Sequence, residues 1–463
     1  MNKRGFLDLQ QQSFYFEALE RTLPKGQETV YHYTSTRVLD SLLTKGTMWA
    51  SNIFYLNDNI EYKAGIDALR KSFQRCQPTL NIIEKLEEDN GHNWPSVFTV
   101  SFSNAPDELQ QWVTYGKESG VSIEFDIDPL RGKGDERSLS LYFKYKDSDD
   151  PSSSSHFESP NSHFYPISYI PRFNNNQDLP NDIRRNIRKA FREVAKFKVD
   201  CYYDCSTCSK VSKCKFESTA GDFFLKNKNL DKSVASCLDC ENCNDCWVKN
   251  PEYEEYAKEF FRILATYHKV NTFHGEGEVR TSFFPFKDEN GDKLSEILHA
   301  HKNNGLLRPY IEVKFGKQKT SKKPELAVPI KSITVGPSGI QDKLYDSIVH
   351  RIKYGKHVVW KPNEETLKKR IEDYLVSVCS DYDKEHLKIA KYLLKKWNEE
   401  NGKEYTITEA QGTKDTLSFK IGTTKTNKPE DGEELSEAVN ALRYNYLSPD
   451  GLWVKKSKIE FIF

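Results

Sequence analysis

Eight of the ten cysteines lie between Cys201 and Cys246, in two groups of four with short spacings. Zinc in proteins is bound tetrahedrally by thiolates, and cysteines separated by two residues suit such a site. The two groups therefore predict two four-cysteine zinc sites. A [4Fe–4S] cluster is the alternative, because the second group resembles the first part of a ferredoxin run. The cysteines are Cys201, Cys205, Cys208, Cys214, Cys237, Cys240, Cys243 and Cys246.

With either metal, we expect these cysteines to be structural, because neither a histidine nor an open coordination position accompanies the thiolates. Basic and aromatic residues surround the cysteines. A basic, metal-stabilised module of this composition is typical of a surface that binds a nucleic-acid or protein acceptor. An ordinary solvated face is an equally good interpretation of the charges. The basic residues just before the cysteines are Arg184, Arg185, Arg188, Lys189, Arg192, Lys196 and Lys198.

Two glutamates and an arginine alternate in the run Glu276-x-Glu278-x-Arg280. Residues two apart on a β-strand share a face, so a strand here would bring all three together. A carboxylate in such a place can hold a hydroxyl group and face positive charge that develops in a transition state. The competing interpretation is an exposed strand face with a surface ion pair, worth about 0 to 1 kcal/mol.

A histidine lies inside the β-branched and aromatic run from Val30 to Thr34, which predicts a short strand. His32 and Thr34 would share a face of that strand. A capped helix should follow and end at Gly46, before a second strand. A satisfied core histidine is the usual interpretation of a lone His. The helix, glycine and strand that follow favour a functional role.

The run from Tyr31 to Ser51 resembles the opening of the NAD-binding half of the ADP-ribosyltransferase fold, as in the poly-ADP-ribose polymerases, the RNA 2′-phosphotransferases and DNA-modifying bacterial toxins. Those proteins begin with a strand bearing His-x-Ser/Thr, a short helix and a Leu/Ile-Leu-x-x-Gly turn. The chain from Val30 to about Gly355 is also similar to a bacterial family known as domain of unknown function 2971. The motifs that carry this second match are His32-Tyr33-Thr34, Leu56-Asn57-Asp58, Ser101-Phe102-Ser103, Trp112-x-x-Tyr115-Gly116, Gly120 to Asp126, Glu276-x-Glu278-x-Arg280 and Val335-Gly336-Pro337.

The resemblance to the ADP-ribosyltransferases implies NAD as a substrate and a role for each matching residue. His32 would hold a ribose hydroxyl, and Thr34 would support the same edge. The backbone of Tyr33 would bind the carboxamide, and Tyr115 would stack on the nicotinamide. Glu278 would be the catalytic carboxylate.

The toxin branch of that superfamily implies that Glu276 acts on the target while the second acid acts on NAD. The sequence departs from the polymerase pattern at Trp112, which stands where a serine would bind the carboxamide. Ser101 or Ser103 could take the place of that serine.

Composition excludes few functions. Lys plus Arg and Asp plus Glu are 68 each in 463 residues, so the net charge indicates neither a nucleic-acid nor a membrane partner. No stretch reaches the roughly 20 apolar residues that span a bilayer. The first 20 residues lack an export signal, so we expect a cytoplasmic protein without disulfides.

The expected fold is α+β: an ADP-ribosyltransferase-like split mixed sheet with helices, a cysteine-rich metal-binding insertion and a C-terminal α+β domain. The boundaries place the first half of the core at 1–180, the insertion at 181–250, the second half of the core at 251–358 and the last domain at 359–463. In that last domain we expect a helix from Glu433 to Tyr446 and a terminal strand from Lys458 to Phe463.

The resemblance to the ADP-ribosyltransferases implies an NAD-consuming effector of the toxin or phage-defence kind, which transfers ADP-ribose to a macromolecule or hydrolyses NAD. The insertion and the C-terminal domain would choose the target or partner, and the C-terminal domain could bind a neutralising or regulatory partner. The alternative is a non-catalytic nucleic-acid-binding or nucleotide-sensing module with structural metal sites. An iron–sulfur redox sensor is a third possibility.

Overall fold

A computed structural model describes residues 27–56, 60–74, 77–88, 97–116, 120–131, 139–146, 154–158, 164–170, 179–190, 258, 261–283, 298–303, 306–317, 325–379, 386–411, 418–423 and 445–459. Within these ranges no helix combines the length and the apolar composition that crossing a membrane requires. The eight clustered cysteines lie outside the described residues.

Helices and strands both contribute substantially to the described chain. Further helical stretches cover 181–190 and 261–266, and 3₁₀-helical segments cover Ile53–Tyr55 and Asn271–Glu276. A π-helical turn, Trp112–Gly116, continues α4. The other helices are α1 (Thr36–Lys45), α2 (Ile60–Ser72), α3 (Gln77–Glu88), α4 (Leu109–Gln111), α5 (Asp128–Arg131), α6 (Gln341–Tyr354), α7 (Glu364–Cys379) and α8 (His386–Asn401).

The strands are mostly short and are spread along the whole chain. They are β1 (Thr29–Ser35), β2 (Thr47–Asn52), β3 (Phe98–Ser103), β4 (Gly120–Asp126), β5 (Ser140–Lys146), β6 (Ser154–Glu158), β7 (Tyr165–Pro166), β8 (Ser168–Ile170), β9 (His268–Val270), β10 (Glu278–Phe283), β11 (His299–Asn303), β12 (Leu306–Lys317), β13 (Glu325–Leu326), β14 (Ile330–Val335), β15 (Tyr405–Gln411), β16 (Ser418–Thr423), β17 (Asn445–Leu447) and β18 (Trp453–Lys456).

The chain divides into two compact units, each built from segments distant in sequence. Unit 1 comprises Met1–Lys25, Trp49–Ser101 and Phe143–Glu312. Unit 2 comprises Gly26–Met48, Phe102–Tyr142 and Val313–Phe463. The boundary expected at residue 359 does not coincide with a division between these units.

In unit 1, helices α2 and α3 share an apolar core with the stretch 261–267. Phe73 and Phe261 are fully buried there, with ring centroids 5.6 Å apart. Gly65 of α2 lies against the backbone of Ala265, where a Cβ atom would be only 2.3 Å from the carbonyl oxygen. This close approach requires glycine and packs α2 against the segment that leads into β9.

In unit 2, strands β17, β18, β14, β4 and β1 form a mixed sheet in that order. The β14–β18 pair is parallel, whereas β4 is antiparallel to both of its neighbours, β14 and β1. Every residue of β4 is buried, as expected of a central strand covered on both faces. The molecule is therefore mixed α/β with a mixed sheet, which agrees with the expected α+β class.

The predicted strand–helix–strand unit at the start of unit 2 is confirmed. β1 is followed at once by α1, whose buried residues Leu39, Leu42 and Leu43 have helical spacing. Gly46 ends α1 in the left-handed conformation, with φ of 62°, and its N–H donates to the carbonyl of Leu42. Glycine adopts this conformation without a Cβ penalty, which explains its place between α1 and β2.

Most of the helix expected from Glu433 to Tyr446 and of the strand expected from Lys458 to Phe463 lies outside the described residues. Of the helix, only Asn445 and Tyr446 are described, and they lie in β17; the last described strand is β18. β18 pairs in parallel with β14, with Val454 opposite Ile333. Pairing over such a sequence distance depends on tertiary contacts that local composition does not encode.

Candidate functional site

Four charged side chains of unit 1, Lys269, Glu276, Glu278 and Arg280, form one buried group that we call the charge cluster. Lys269 lies in β9, Glu276 ends a 3₁₀ turn, and Glu278 and Arg280 begin β10. Their side chains are between 1% and 8% exposed. Charged groups at this depth are stable only when each is paired.

The pairing within the charge cluster is complete. The Arg280 guanidinium donates to Glu278 twice, from Nε to Oε1 at 2.6 Å and from Nη2 to Oε2 at 3.0 Å. Its Nη1 donates to the carbonyl of Thr266 at 2.7 Å. Lys269 Nζ lies 2.7 Å from Glu276 Oε2 and 3.2 Å from Glu278 Oε2. Two cations therefore balance two carboxylates.

The surroundings of Glu278 keep its carboxylate ionised. Burial alone would raise the pKa of Glu278, but the charges of Arg280 and Lys269 and hydrogen bonds from Arg280 and Ser101 outweigh that effect and lower the pKa to about 2. The backbone N–H of Glu278 donates to the Tyr169 hydroxyl at 2.7 Å. Glu278 is therefore a fixed negative charge in a site from which water is largely excluded.

Sequence reasoning was wrong about the strand position of Glu276. Gly277 adopts a left-handed conformation with φ of 50°, so the strand begins only at Glu278. Glu276 and Glu278 meet through Lys269 rather than as neighbours on one strand face. Glu278 and Arg280 do share a face, as predicted from their spacing. The exposed ion pair of the competing interpretation is also wrong, since both side chains are buried.

Lys269 is the functional residue that sequence reasoning missed. Its side chain is 3% exposed, in the buried three-residue strand β9. The available signal was a lysine close behind the mostly apolar stretch from Ile263 to Tyr267. Such a lysine can only be buried if an acid lies opposite.

In unit 2, β1 carries the other residues expected to bind NAD. His32 is partly buried, and its ring lies 5.7 Å from that of Phe102 between centroids. Thr34 is partly buried. β1 pairs with β4 over all seven of its residues. It is aligned with β3 at one position, where Tyr31 lies opposite Ser103. The backbone of Tyr33 lies beyond that position.

The side chains of Tyr33 and Ser103 organise the loop that follows β3. The Tyr33 hydroxyl donates to the carbonyl of Ala105 at 3.1 Å and accepts from the N–H of Glu108 at 2.9 Å. Burial raises the pKa of Tyr33 to about 12. Ser103 Oγ accepts from the N–H of Ala105 at 3.1 Å and is 1% exposed as a residue. Both side chains therefore stabilise the loop through hydrogen bonds.

Trp112, the departure from the polymerase pattern, is a packing residue. Its ring meets that of Tyr33 edge-on at 4.9 Å, and its Nε1–H donates to Asp107 Oδ1 at 2.8 Å. A Cβ atom on Gly116 or Gly336 would come within 2.7 Å of the indole. These contacts account for two of the motifs noted in the sequence. Tyr115, expected to stack on nicotinamide, is partly buried in the same π-helical turn.

No metal centre is found among the residues that the structure describes, since none of their His, Cys, Asp and Glu side chains form a group of three or more suited to hold an ion. The predicted zinc or iron–sulfur ligands, Cys201 to Cys246, and the basic residues Arg192, Lys196 and Lys198 lie outside the described ranges.

Comparison with family models, with curated proteins and with solved structures finds no match of any of the three kinds. The resemblances given above therefore rest on the quoted residues, and the functional conclusion must come from the site itself.

Proposed function

We propose that this protein consumes NAD as an ADP-ribosyltransferase-like enzyme, transferring ADP-ribose to a macromolecule or hydrolysing the dinucleotide. The observation that carries the proposal is the ionised Glu278, fixed in a buried site by Arg280 and Lys269. Cleavage of the nicotinamide–ribose bond develops positive charge on the ribose. A preorganised carboxylate stabilises such charge most effectively where water is excluded.

A ribose hydroxyl can reach Glu278 only by replacing one of its present donors. A carboxylate accepts about four hydrogen bonds, and Glu278 already accepts from Arg280 twice, from Lys269 and from Ser101. The contact with Lys269 is the longest, at 3.2 Å, and Lys269 has Glu276 as a closer partner at 2.7 Å. We therefore assign Oε2 of Glu278 to the ribose hydroxyl, with Lys269 retained by Glu276.

The resemblance to the ADP-ribosyltransferases is what assigns further roles to residues of β1. His32 would hold a second ribose hydroxyl, with Thr34 beside it, and the backbone of Tyr33 would bind the carboxamide. Tyr33 pairs with Ser122 of β4 and lies past the position at which β1 is aligned with β3. Tyr115 remains the candidate to stack on the nicotinamide ring.

Release of free nicotinamide from NAD tests this proposal, with extract from candidate target cells present or absent. Glu278→Gln and Glu276→Gln each remove one negative charge from the same cluster, so they are matched. We expect Glu278→Gln to lower the rate about 100-fold or more. Glu276→Gln should keep NAD hydrolysis and lose transfer of ADP-ribose to protein or nucleic acid. Wild-type protein that releases no nicotinamide under either condition would contradict the proposal.

A second candidate function, nucleic-acid binding without catalysis, is favoured by a row of neighbouring rings on unit 1. Trp49 of β2 is 39% exposed, and its ring is tilted by 30° against that of the partly buried Tyr310, 4.4 Å away between centroids. The exposed His299 continues the row, 5.3 Å from Tyr310 and also tilted by 30°. Exposed rings in a row are typical of platforms on which unpaired bases stack.

Fluorescence anisotropy with a labelled single-stranded oligonucleotide tests this second function. Trp49→Ala should weaken binding about tenfold, since stacking on one base is worth about 1–3 kcal/mol. Leu307→Ala is the control, because Leu307 is an exposed residue of the same unit. Phe54→Ala would be unsuitable, because it alters the core. Binding that is unchanged in Trp49→Ala would contradict a stacking platform.

A further inference from the structure

Unit 2 contains a cavity that no role proposed so far uses. Its volume is about 640 Å³, within the range typical of small-ligand sites. Asp126 at the end of β4, Lys331 of β14 and Arg370 of α7 contribute to its lining, together with Trp360 from the segment before α7. None of these residues belongs to the charge cluster or to the proposed NAD contacts on β1.

Arg370 gives this cavity an unsatisfied hydrogen-bond donor. The residue is 4% exposed, yet its Nε–H has no acceptor among the described residues. Its other nitrogens are satisfied, Nη2 by Asp126 at 3.2 Å and Nη1 by the carbonyl of Ile330 at 3.3 Å. Leaving a buried donor unpaired costs about 1–3 kcal/mol, more when the group is charged. An acceptor supplied by a ligand would remove that cost.

The charges around the cavity favour an anionic ligand. Its described lining has one more cation than carboxylates, and three of the carboxylates already have partners: Asp126 with Arg370, Glu28 with Lys369, and Asp373 with Lys331. Lys317, at the end of β12, forms no ion pair with any described residue and is partly buried. Arg370 Nε and Lys317 Nζ are therefore the two donors of the lining that we assign to an incoming oxyanion.

The cavity also offers a flat apolar surface. The Arg370 guanidinium lies over the Trp360 ring, 5.5 Å from its centroid. The Trp360 N–H donates to the carbonyl of Val328 at 2.8 Å, which fixes the backbone that carries the ring. An aromatic ring can stack in such a place, and the exposed Asp128 at the edge can accept from a sugar hydroxyl.

We propose that this cavity binds a mononucleotide, with the phosphate on Arg370 Nε and Lys317 and the base against Trp360. A phosphate supplies the missing acceptor and matches the excess positive charge, while the base uses the indole surface. None of the residues assigned to this site has a role in the proposed NAD chemistry. The protein would therefore carry a second nucleotide site, and this one lies in unit 2.

Isothermal titration calorimetry of the full chain tests the proposal, with adenosine 5′-monophosphate as the ligand and adenosine and inorganic phosphate as comparison probes. We expect saturable binding of the monophosphate, tighter than that of either probe. Lys317→Ala and Trp360→Leu should each weaken it about tenfold. Lys343→Ala removes an exposed lysine of α6 that does not line the cavity, and should leave the Kd unchanged.

Arg370→Lys keeps a positive charge near Asp126 but removes the Nε–H donor, so it should also weaken binding of the monophosphate. Thermal unfolding shows whether this variant is folded. Absence of saturable heat with the monophosphate would overturn the proposal. Inorganic phosphate binding as tightly as the monophosphate would overturn the role of the base, and wild-type affinity in Lys317→Ala would overturn the role of the cations.

Discussion

The charge cluster of unit 1 and the cavity of unit 2 each bury an arginine beside a carboxylate, yet only the arginine of unit 1 is fully paired. Arg280 presents Nε and Nη2 side by side to Glu278, its neighbour two residues away on β10. Arg370 reaches Asp126 of β4 from α7 with Nη2 alone. The side-on contact uses the whole guanidinium edge, whereas the end-on contact leaves Nε without an acceptor.

This difference separates two uses of buried charge. A closed, neutral cluster fixes one carboxylate in its ionised form, which suits electrostatic catalysis. A partly paired arginine that lines a cavity keeps a donor for a ligand. Substitutions that remove charges from each region should therefore have different consequences for stability.

Loss of the arginine should be the most damaging change in unit 1 and a milder one in unit 2. Arg280→Met leaves Glu278 buried with Lys269 as its remaining cation, and we expect a loss of about 3–5 kcal/mol in the free energy of unfolding. Arg370→Met should cost less, because the Asp126 side chain is 13% exposed and keeps contact with water. Urea unfolding measures both.

Arg351→Met is the control for the loss of an arginine at the surface. Its partner Asp40 has a side chain that is 63% exposed, so this change should cost about 1 kcal/mol or less. Equal losses for Arg280→Met and Arg351→Met would show that the charge cluster contributes no more than a surface ion pair.

Acid should weaken unit 1 through Glu278. Its pKa is lowered from 4.5 to about 2, so the folded state binds fewer protons than the unfolded state between these values. The stabilisation is therefore complete above about pH 5, is lost as the pH falls toward 2, and amounts to about 3 kcal/mol. Unfolding free energies measured from pH 6 to pH 3 should fall steeply for wild type and less for Glu278→Gln.

Lys269 and Glu276 should behave as a coupled pair. Lys269→Met alone leaves Glu276 without its cation, and Glu276→Gln alone leaves Lys269 with a weaker partner. The double variant removes both charges and keeps the side-on pair of Glu278 with Arg280. We expect the double variant to lose about 1–3 kcal/mol less in the free energy of unfolding than the two single variants lose together, as measured by a double-mutant cycle. Simple additivity would mean that Lys269 does not bridge the two acids.

The smallest effect concerns the turn that separates the two acids. Gly277→Ala places a Cβ on a residue with φ of 50° and should cost about 1–2 kcal/mol. Gly339→Ala is a matched control, since a Cβ there meets nothing within 4 Å and its φ is not positive. A thermal shift no larger for Gly277→Ala than for the control would argue against a strained turn.

Short-range signals predicted the parts of the molecule that depend on short-range interactions. The apolar spacing of α1, the left-handed Gly46 and the β-branched run of β1 all lie within a few residues of one another, and the structure matches them. The spacing of Glu278 and Arg280 was informative for the same reason, since residues two apart on a strand share a face.

Features that depend on tertiary contacts, or on a backbone conformation that the sequence leaves open, could not be predicted. Gly277 shifts the start of β10 by adopting a conformation that the sequence permits but does not require. Lys269 is buried because Glu276 and Glu278, seven and nine residues later in the chain, neutralise it. β18 contains two lysines in four residues and joins the sheet through β14, far earlier in the chain. The cavity near Arg370 likewise depends on β4 and α7 coming together.

Nicotinamide release by single variants of the two units tests the proposed chemistry most directly. His32→Ala and Glu278→Gln are compared with Lys343→Ala, with thermal unfolding showing that each variant is folded. We expect His32→Ala and Glu278→Gln each to lose about 100-fold or more in rate while Lys343→Ala matches wild type. A folded His32→Ala or Glu278→Gln variant that releases nicotinamide at the wild-type rate would contradict the proposed chemistry.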